Sequence, residues 1–256
     1  MRFSVEILLS GGKRVVPSDY RRNILSLIKE AINPNMSGTD VFNKYYGKDR
    51  ILKPFTFSVS FKIDETKSEK GILHLTDPKI NLHFSASDPV FLIYIYNGLV
   101  QLKKDYPLFP GIAARIGHFS LEQQKIIRDH EVIFRTFSPI LVRDTGEGRK
   151  TRGYLTPESP EFIDRLYHSV RYMCNRLLDG DYTLARNDFA AELINSRIVR
   201  ITHYSEKNAP RDSKKEMIEA TTGIIRIKAP ANVLQLIYDA GIGAKRSQGF
   251  GMLEIL

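Results

Sequence analysis

GIGAKRSQGFGMLEIL, residues 241–256, is the stretch of sequence that indicates the fold most directly. It places four glycines around a basic and polar tip: Gly241, Gly243, Gly249 and Gly251, with Lys245, Arg246, Ser247 and Gln248 between them. Glycine adopts positive φ at little cost and lets a backbone approach another molecule closely. Because no acid lies between residues 240 and 253, we expect these residues to bind a ligand that carries phosphate. The alternative is a glycine-rich turn with incidental charges.

The composition is typical of a protein that binds a polyanion. The chain has 256 residues, of which 42% are hydrophobic, and a formal net charge of +9. Such an excess of Lys and Arg is typical of nucleic-acid-binding proteins, although thermostable proteins with many surface ion pairs show it too. We expect no membrane contact, because no apolar run approaches the roughly 18 residues of a membrane-spanning helix. The single cysteine, Cys174, excludes an internal disulfide framework and fits a reducing cytoplasm.

The order of the predicted elements repeats once along the chain. Apolar–polar alternation and helix start signals predict strand, helix, strand, strand, helix, strand in each half. The first half opens with a strand at residues 2–9, and the second opens with HEVIFRTFSPILVRD at residues 130–144. This is the order of a ferredoxin-like unit. We therefore expect an α+β protein with two tandem ferredoxin-like, RRM-like domains at residues 1–128 and 129–256, facing each other across a cleft.

Three predictions concern the first domain. Residues 33–50, NPNMSGTDVFNKYYGKDR, hold two glycines and a proline and are predicted as a loop. The fourth strand is predicted at GHFSLEQQKIIRD, residues 117–129. Arg22 and Lys29 lie seven positions apart on the first helix and therefore share one side. Arg22 is a candidate nucleic-acid contact.

A second basic segment runs from Arg197 to Lys215. It holds six Lys and Arg residues against two acids and forms the tip of a predicted hairpin, whose strands are residues 191–206 and 215–230 and are joined by a basic turn. A hairpin of this charge can hold a phosphate backbone or the major groove of an RNA stem. Arg197 and Arg200 are the candidate contacts, and a solvated turn without a ligand is the alternative.

The histidines give no indication of a metal or cofactor. None of the six pairs with Cys, Asp or Glu at the spacing of zinc ligands, and there is no HExxH motif. We expect them to be structural or surface residues, and His203, beside Tyr204, is the one with the best prospect of reaching a site. The sequence therefore predicts no metal and no cofactor.

Three segments resemble one known family. The loop GIGAKRSQGFG followed by MLEI resembles the C-terminal glycine-rich signature of the CRISPR-associated endoribonucleases that cut precursor crRNA within its repeats. TFSPILV at 136–142 resembles the first strand of the family's second domain, and KPFTFSVSF at 53–61 resembles the second strand of its first domain. With the repeated element order, the resemblance to this family of the RAMP superfamily spans the whole chain.

The resemblance implies a specific chemistry. Members of the family are metal-independent nucleases in which the 2′-hydroxyl of the RNA attacks the adjacent phosphodiester, leaving a 2′,3′-cyclic phosphate and a 5′-hydroxyl. Such a site needs a base, a proton donor and positive charge. The family usually supplies them as a histidine, a tyrosine and a lysine from the first helix and the following loop. The implied partner is CRISPR repeat RNA or crRNA, and CRISPR effector subunits and a second copy of the chain are further candidates.

The chain departs from the family at the histidine. No histidine lies between residues 1 and 73, and the matching position falls within residues 42–46, at a phenylalanine, an asparagine or one of two tyrosines. Lys53 matches the family's lysine, and Lys29 stands late in the first helix, where the family often has a tyrosine. The candidate catalytic residues are Lys29, Tyr45, Tyr46, Lys48 and Lys53.

The chemistry of these residue types leaves two functions open. Unperturbed Tyr and Lys have pKa values of about 10, and we expect clustered cations and partial burial to lower them. Without that shift, cleavage would be slow and would gain rate at alkaline pH. The alternative function is a protein of the same fold that binds crRNA without effective cleavage. A ferredoxin-like small-molecule enzyme is a third interpretation, which no motif supports.

Overall fold

The computed structural model describes most of the chain as two compact units. The described residues are 2–33, 39–47, 51–102, 105–145, 153–178, 180, 182–204 and 215–256. The first unit comprises Met1–Lys53 and Ser58–Gln123, and the second comprises Pro54–Phe57 and Gln124–Leu256. Lys48 and most of the basic turn that follows Tyr204 lie outside the described residues. Within the described ranges, no helix combines the length and the apolarity that a membrane crossing requires.

The first half of the chain alternates strands and helices. Its elements are β1 (Arg2–Leu9), β2 (Val15–Pro17), α1 (Arg21–Ala31), α2 (Thr39–Tyr46), β3 (Phe55–Ser60), β4 (Ile72–His74), β5 (Lys79–Ala86), α3 (Pro89–Gln101), β6 (Tyr106–Phe109) and β7 (Ile112–Leu121). The main sheet has the order β3-β5-β1-β7-β6, and β2 pairs with β4 separately. The strands that belong to the repeated pattern therefore stand in the order second, third, first, fourth, which is the order of a ferredoxin-like sheet.

Two helices pack together in the first unit. α1 buries the side of the helix that carries Ile24, Leu27 and Ile28, as its apolar spacing predicts. α3 begins where the Asp88 carboxylate accepts a hydrogen bond from the Phe91 backbone N–H at 3.1 Å, with proline in the first turn. At Gly98 the two helices meet so closely that a Cβ would overlap the Ala31 carbonyl oxygen.

The second half repeats the pattern. Its elements are β8 (Glu131–Thr136), β9 (Val142–Arg143), β10 (Tyr154–Leu155), α4 (Phe162–Leu177), β11 (Ala190–Tyr204), β12 (Lys215–Lys228), α5 (Ala231–Ala240) and β13 (Leu253–Ile255). The main sheet has the order β11-β12-β8-β13, again second, third, first, fourth. The apolar side of α4 is buried and includes Cys174, which is fully enclosed.

The predicted fold class, an α+β protein with two tandem ferredoxin-like units, is confirmed, whereas two predicted elements are wrong. Residues 33–50 are not all loop, because α2 forms there and buries Val41 and Tyr45, four residues apart on one side. The fourth strand of the first unit is Ile112–Leu121, rather than 117–129, because the polar run after Leu121 ends the pairing with β1. How the two domains face each other stays a prediction.

Candidate active site and nucleic-acid surfaces

Two helices and the segment before β3 bring three candidate catalytic residues together. The Lys29 ammonium, near the end of α1, lies 5.7 Å from the centre of the Tyr46 ring. The Lys53 ammonium lies 4.5 Å from the centre of the same ring. Phe42 stacks on Tyr46 one helical turn away, with ring centres 5.7 Å apart. We refer to Lys29, Tyr46 and Lys53 as the lysine–tyrosine cluster; its ring-to-cation contacts are each worth about 0.5–1 kcal/mol at an exposed site.

The Tyr46 hydroxyl is the buried end of this cluster. Its oxygen is enclosed and has no hydrogen-bond partner among the described residues. Burial raises the pKa of the Tyr46 phenol, because a phenolate would lose its hydration. The expectation that clustered cations and partial burial lower this pKa is therefore wrong. The two ammonium groups lie against the ring and leave desolvation as the dominant effect, so Tyr46 stays protonated at neutral pH.

Tyr45 faces away from the cluster and holds α2 against the start of α3. Its hydroxyl donates to the Asp88 carboxylate at 2.7 Å, and its ring packs edge-on against Phe91 at 5.0 Å between centres. Burial, followed by the hydrogen bond to Asp88, raises the pKa of Tyr45. Of the two tyrosines that the sequence offers for the active cluster, the structure places Tyr46 beside the lysines, because the period of α2 turns Tyr45 to a different side.

The glycine loop closes on the protein itself. Gly241, Gly243, Gly249 and Gly251 have φ values of 82°, 80°, 86° and 71°, and all four are buried. A Cβ on Gly243 would lie 2.5 Å from the Leu141 carbonyl oxygen, and one on Gly249 would lie 2.7 Å from the Phe57 ring. Of the two predicted reasons for glycine, positive φ is confirmed at all four positions. The close approaches that the structure shows are to the protein's own chain.

Arg246 also belongs to the interior of the loop. Its side chain is 6% exposed, and its Nη1 donates to the Ala240 carbonyl at 2.7 Å. Burial lowers the pKa of the guanidinium to about 10. The prediction that Arg246 stands at the tip and meets phosphate is therefore wrong; it ties the loop to the end of α5.

The tip of the loop consists of the remaining polar residues. Lys245, Ser247 and Gln248 are partly exposed, and the Lys245 ammonium donates to the Gln248 side chain at 3.2 Å. Lys245 has a φ of 55° and is the only non-glycine residue with positive φ in the described part of the chain. A side chain held in this conformation costs about 1–3 kcal/mol and often marks a functional position. These three residues remain candidate RNA contacts.

The candidate arginines lie on helix and strand surfaces. Arg22 is exposed on α1, on the side that carries Lys29. Arg197 and Arg200 are exposed within β11, opposite Thr222 and Glu219 of β12, as the predicted strand at residues 191–206 implies. The Arg200 Nε lies 3.3 Å from a Glu219 carboxylate oxygen, whereas the Arg197 Nε meets the Thr222 hydroxyl at 3.4 Å. Arg200 is thus partly neutralised.

The second half of the chain matches a family model. The model describes the C-terminal part of CRISPR associated protein Cas6 and matches residues 121–255. The chain belongs to the Cas6 family. The resemblance stated from the sequence is therefore confirmed.

Relatives and solved structures extend the Cas6 match to the whole chain. A Pyrococcus furiosus protein named as a CRISPR-associated endoribonuclease-like protein Cas6 is 28% identical over 268 residues, which cover 100% of this chain and 99% of the relative. The structure of a Cas6-related protein from Pyrococcus furiosus has a TM-score of 0.81 at 23% identity, covering 100% and 98% of the two chains. A RAMP protein described as binding different RNA substrates gives 0.77 at 22%, covering 100% and 99%.

The three segments that carry the Cas6 resemblance meet in the second unit. The Thr56 hydroxyl, from KPFTFSVSF, donates to the Phe250 carbonyl at 2.8 Å. From TFSPILV, the Pro139 carbonyl accepts from Gly251 N–H at 2.8 Å, and the Leu141 carbonyl accepts from Ala244 N–H at 2.7 Å. The glycine loop is therefore held in place by the two other segments.

Phe42 is predicted only as a possible match to the family's histidine position, and its packing in the cluster is not predicted. It stacks on Tyr46 and lies 5.7 Å from the Lys29 ammonium, so it forms part of the wall of the cluster. The signal was present in the sequence: Val41 with Tyr45, and Phe42 with Tyr46, are pairs at the four-residue spacing of a helix. Treating residues 33–50 as a loop concealed it.

Proposed function

We propose that this Cas6-family protein binds CRISPR repeat RNA and cuts it without a metal ion, by attack of a 2′-hydroxyl on the adjacent phosphodiester. The observation that carries the proposal is the lysine–tyrosine cluster: two ammonium groups and a buried phenol gathered around one ring. Two cations beside one ring suit a phosphate that gains charge in its transition state. The relative named as endoribonuclease-like supports the same reaction class.

In the proposed reaction the 2′-oxygen forms a bond to phosphorus while the bond from phosphorus to the 5′-oxygen breaks. Lys29 and Lys53 stabilise the charge on the non-bridging oxygens, and Tyr46 supplies the proton that the departing 5′-oxygen takes up. This step requires that RNA binding expose the Tyr46 hydroxyl, which is enclosed in the free protein. The products are a 2′,3′-cyclic phosphate and a 5′-hydroxyl. Since Tyr46 is protonated at neutral pH, the proton of the 2′-hydroxyl leaves to hydroxide from the solvent. Cleavage is therefore slow near neutrality and faster as pH rises.

RNA contacts outside the cluster come from the exposed cations. Arg22 shares the exposed side of α1 with Lys29, so it can hold a neighbouring phosphate of the same strand. Lys245, Ser247 and Gln248 offer one cation and two hydrogen-bonding groups at the tip of the glycine loop. CRISPR effector subunits and a second copy of the chain are proposed protein partners, and the buried thiol of Cys174 suits a reducing cytoplasm.

The experiment is cleavage of a labelled CRISPR repeat RNA from the source organism in EDTA, beside the same RNA with a 2′-deoxy sugar at the cut site. We expect one cut in EDTA, abolished by the deoxy sugar. Cleavage of the deoxy RNA would refute 2′-hydroxyl attack. Loss of cleavage in EDTA that Mg²⁺ restores would refute the metal-free mechanism.

A second candidate function is crRNA binding without effective cleavage. The raised pKa of Tyr46 favours it, because this tyrosine cannot take the place of the family's histidine as a base near neutral pH. Tight binding of the repeat RNA with no cut at pH 7 or at pH 9 would establish this function. Cleavage that gains rate with pH would exclude it.

A further inference from the structure

The second unit contains a cleft on the side of its sheet that carries charged residues. It has a volume of about 360 Å³, within the range of about 300–1,000 Å³ typical of small-ligand sites. We call it the Ser-Pro cleft, after Ser138 and Pro139 at its edge. Its lining comprises Arg135, Thr136, Phe137, Ser138, Pro139, Asn195, Arg197, Thr222, Gly223 and Ile224.

The floor of the Ser-Pro cleft is fixed by an irregularity of the sheet. β11 shifts register between Leu193 and Asn195, and a bulge of this kind re-aims side chains. Opposite it, Gly223 has a φ of 144°, and a Cβ there would overlap the Asn195 carbonyl oxygen. The Gly223 N–H donates to the Thr136 hydroxyl at 2.9 Å. Asn195 therefore lines the cleft because the backbone is built to turn it there.

The edge of the cleft is equally fixed. The Ser138 hydroxyl accepts from Met252 N–H at 2.9 Å, and the Met252 carbonyl accepts from the N–H groups of Phe137 and Ser138 at 2.7 and 3.0 Å. Three hydrogen bonds to one residue hold the loop that follows β8. The cleft is thus preformed, which reduces the ordering cost of binding a ligand.

Two arginines reach the cleft from opposite sides of β12. Arg135 of β8 stands opposite Ile224, and Arg197 of β11 stands opposite Thr222. Residues 222 and 224 point to the same face of the sheet, and directly paired residues share that face. Both guanidinium groups therefore lie over one stretch of β12. Their backbones are two strands apart across the sheet and two residues apart along it, or ~12 Å.

These two arginines differ from their neighbours in charge balance. Arg226 lies 2.8 Å from a Glu192 carboxylate and 3.3 Å from a Glu131 carboxylate, and Arg200 has Glu219. Within the described part of the chain, neither Arg135 nor Arg197 has a carboxylate within ion-pairing distance. Arg135 does stand opposite Glu254 of β13, but that carboxylate lies 2.7 Å from the Lys125 ammonium.

We propose that the Ser-Pro cleft binds one unpaired nucleotide of the RNA, with its phosphate held by Arg135 and Arg197 and its base against Phe137. Arginine matches the geometry of phosphate oxygens, and an aromatic side chain beside a positive groove is the usual means of holding single-stranded nucleic acid. The Asn195 amide, which can both donate and accept, meets the edge of the base. The inference rests on the proposed function and adds that the nucleotide bound in the Ser-Pro cleft is unpaired.

The test compares the salt dependence of repeat-RNA binding for the wild-type chain, R135A/R197A and R226A. The control removes one cation from the same face, but from a residue already neutralised by carboxylates. Each neutralised phosphate of a single strand contributes a slope of about −0.7 to log K against log salt. We expect the magnitude of this slope to fall by about 0.7 for R135A/R197A and to stay unchanged for R226A.

A second variant tests the base contact. Phe137→Leu keeps an apolar side chain and removes the stacking surface, and a thermal unfolding scan checks that the fold is intact. We expect at least a fivefold loss of affinity, and the loss should disappear for RNA made abasic at the one position that occupies the cleft. Unchanged binding by this variant would refute the base contact.

The outcomes separate the two proposals. A wild-type chain that does not bind repeat RNA refutes the proposed function. A wild-type chain that binds, with the double variant keeping the same slope and affinity, refutes the Ser-Pro cleft alone. An equal effect of R226A would also refute it, because it would assign the effect to the overall charge of the face.

Discussion

Tyr46→Phe is the sharpest test of the lysine–tyrosine cluster, because it removes one oxygen and keeps the ring that both lysines contact. That oxygen is buried without a hydrogen-bond partner among the described residues. An unsatisfied buried polar group costs about 1–3 kcal/mol, so the variant is expected to gain about 1 kcal/mol or more in the free energy of unfolding. For a chain of this size, 1 kcal/mol corresponds to roughly 2–4 °C in Tm.

The same change removes the proposed proton donor. Loss of a positioned acid typically lowers the rate by about 10²–10⁴-fold. Tyr46→Phe is therefore expected to be more stable than the wild-type chain and much slower at cleavage, which is a combination that simple damage to the fold cannot produce. The assays are thermal unfolding and single-turnover cleavage of labelled repeat RNA at saturating protein.

Tyr45→Phe is the matched control, one residue away on the same helix. It loses the 2.7 Å hydrogen bond to Asp88, which is charge-assisted and worth about 1.5–3 kcal/mol. We expect lower stability and an unchanged cleavage rate at saturating protein. If Tyr46→Phe cut RNA as fast as the wild-type chain, Tyr46 would not be the proton donor. If it lowered Tm, the hydroxyl would have a partner and its burial would be favourable.

The remaining predictions concern charge, pH and the glycine loop. Lys53→Ala should reduce cleavage far more than binding, whereas Lys44→Ala, which removes a surface cation near Asp88, should change neither; an equal loss of binding and cleavage in Lys53→Ala would remove its catalytic role. The logarithm of the cleavage rate should rise with pH from 7 to 9 with a slope near one, and a bell-shaped profile centred near neutrality would reveal a general base. Tyr45 and Tyr46 have folded-state pKa values above about 10, the unfolded value. The unfolded chain therefore loses these protons more readily than the folded chain, so the free energy of unfolding is unaffected below pH 10 and declines above it; denaturant titrations should show that decline, and Tyr46→Phe should reduce it. Gly251→Ala should destabilise the second unit by about 2 kcal/mol or more, because φ is 71° and a Cβ would overlap the Ile242 carbonyl oxygen; loss of RNA binding with an unchanged Tm would contradict this.

The sequence was sufficient for the architecture because its signals are periodic. Alternation over eight residues in β1 and a broad apolar side on α4 fix the type of each element. The repeated order of elements then fixes the fold class. The short helix α2 was not predicted, because its eight residues follow a glycine and a proline and give little more than two turns of periodicity. Short elements near such residues are decided by what they pack on, here Phe91 and Asp88.

The candidate site was only partly predictable, because side-chain direction and burial are set by tertiary packing. Lys29 and Lys53 are 24 positions apart in the printed sequence, and nothing local shows that one tyrosine ring lies between them. Arg246 and Lys245 are neighbours of like charge, yet one is enclosed and the other is partly exposed. Their roles differ because the positive φ of Lys245 turns the chain at that point.

The assignment of Pro54–Phe57 to the second unit has a consequence for how that half of the molecule can be produced. These four residues supply the Thr56 hydroxyl to Phe250 and the Phe57 ring against Gly249, yet they are synthesised some seventy residues before the rest of that unit begins at Gln124. A fragment expressed from Gln124 onwards would therefore lack part of its own interior and should be poorly soluble. Adding a short peptide that carries residues 53–61 should restore its solubility, so that a covalently separate piece completes the fold.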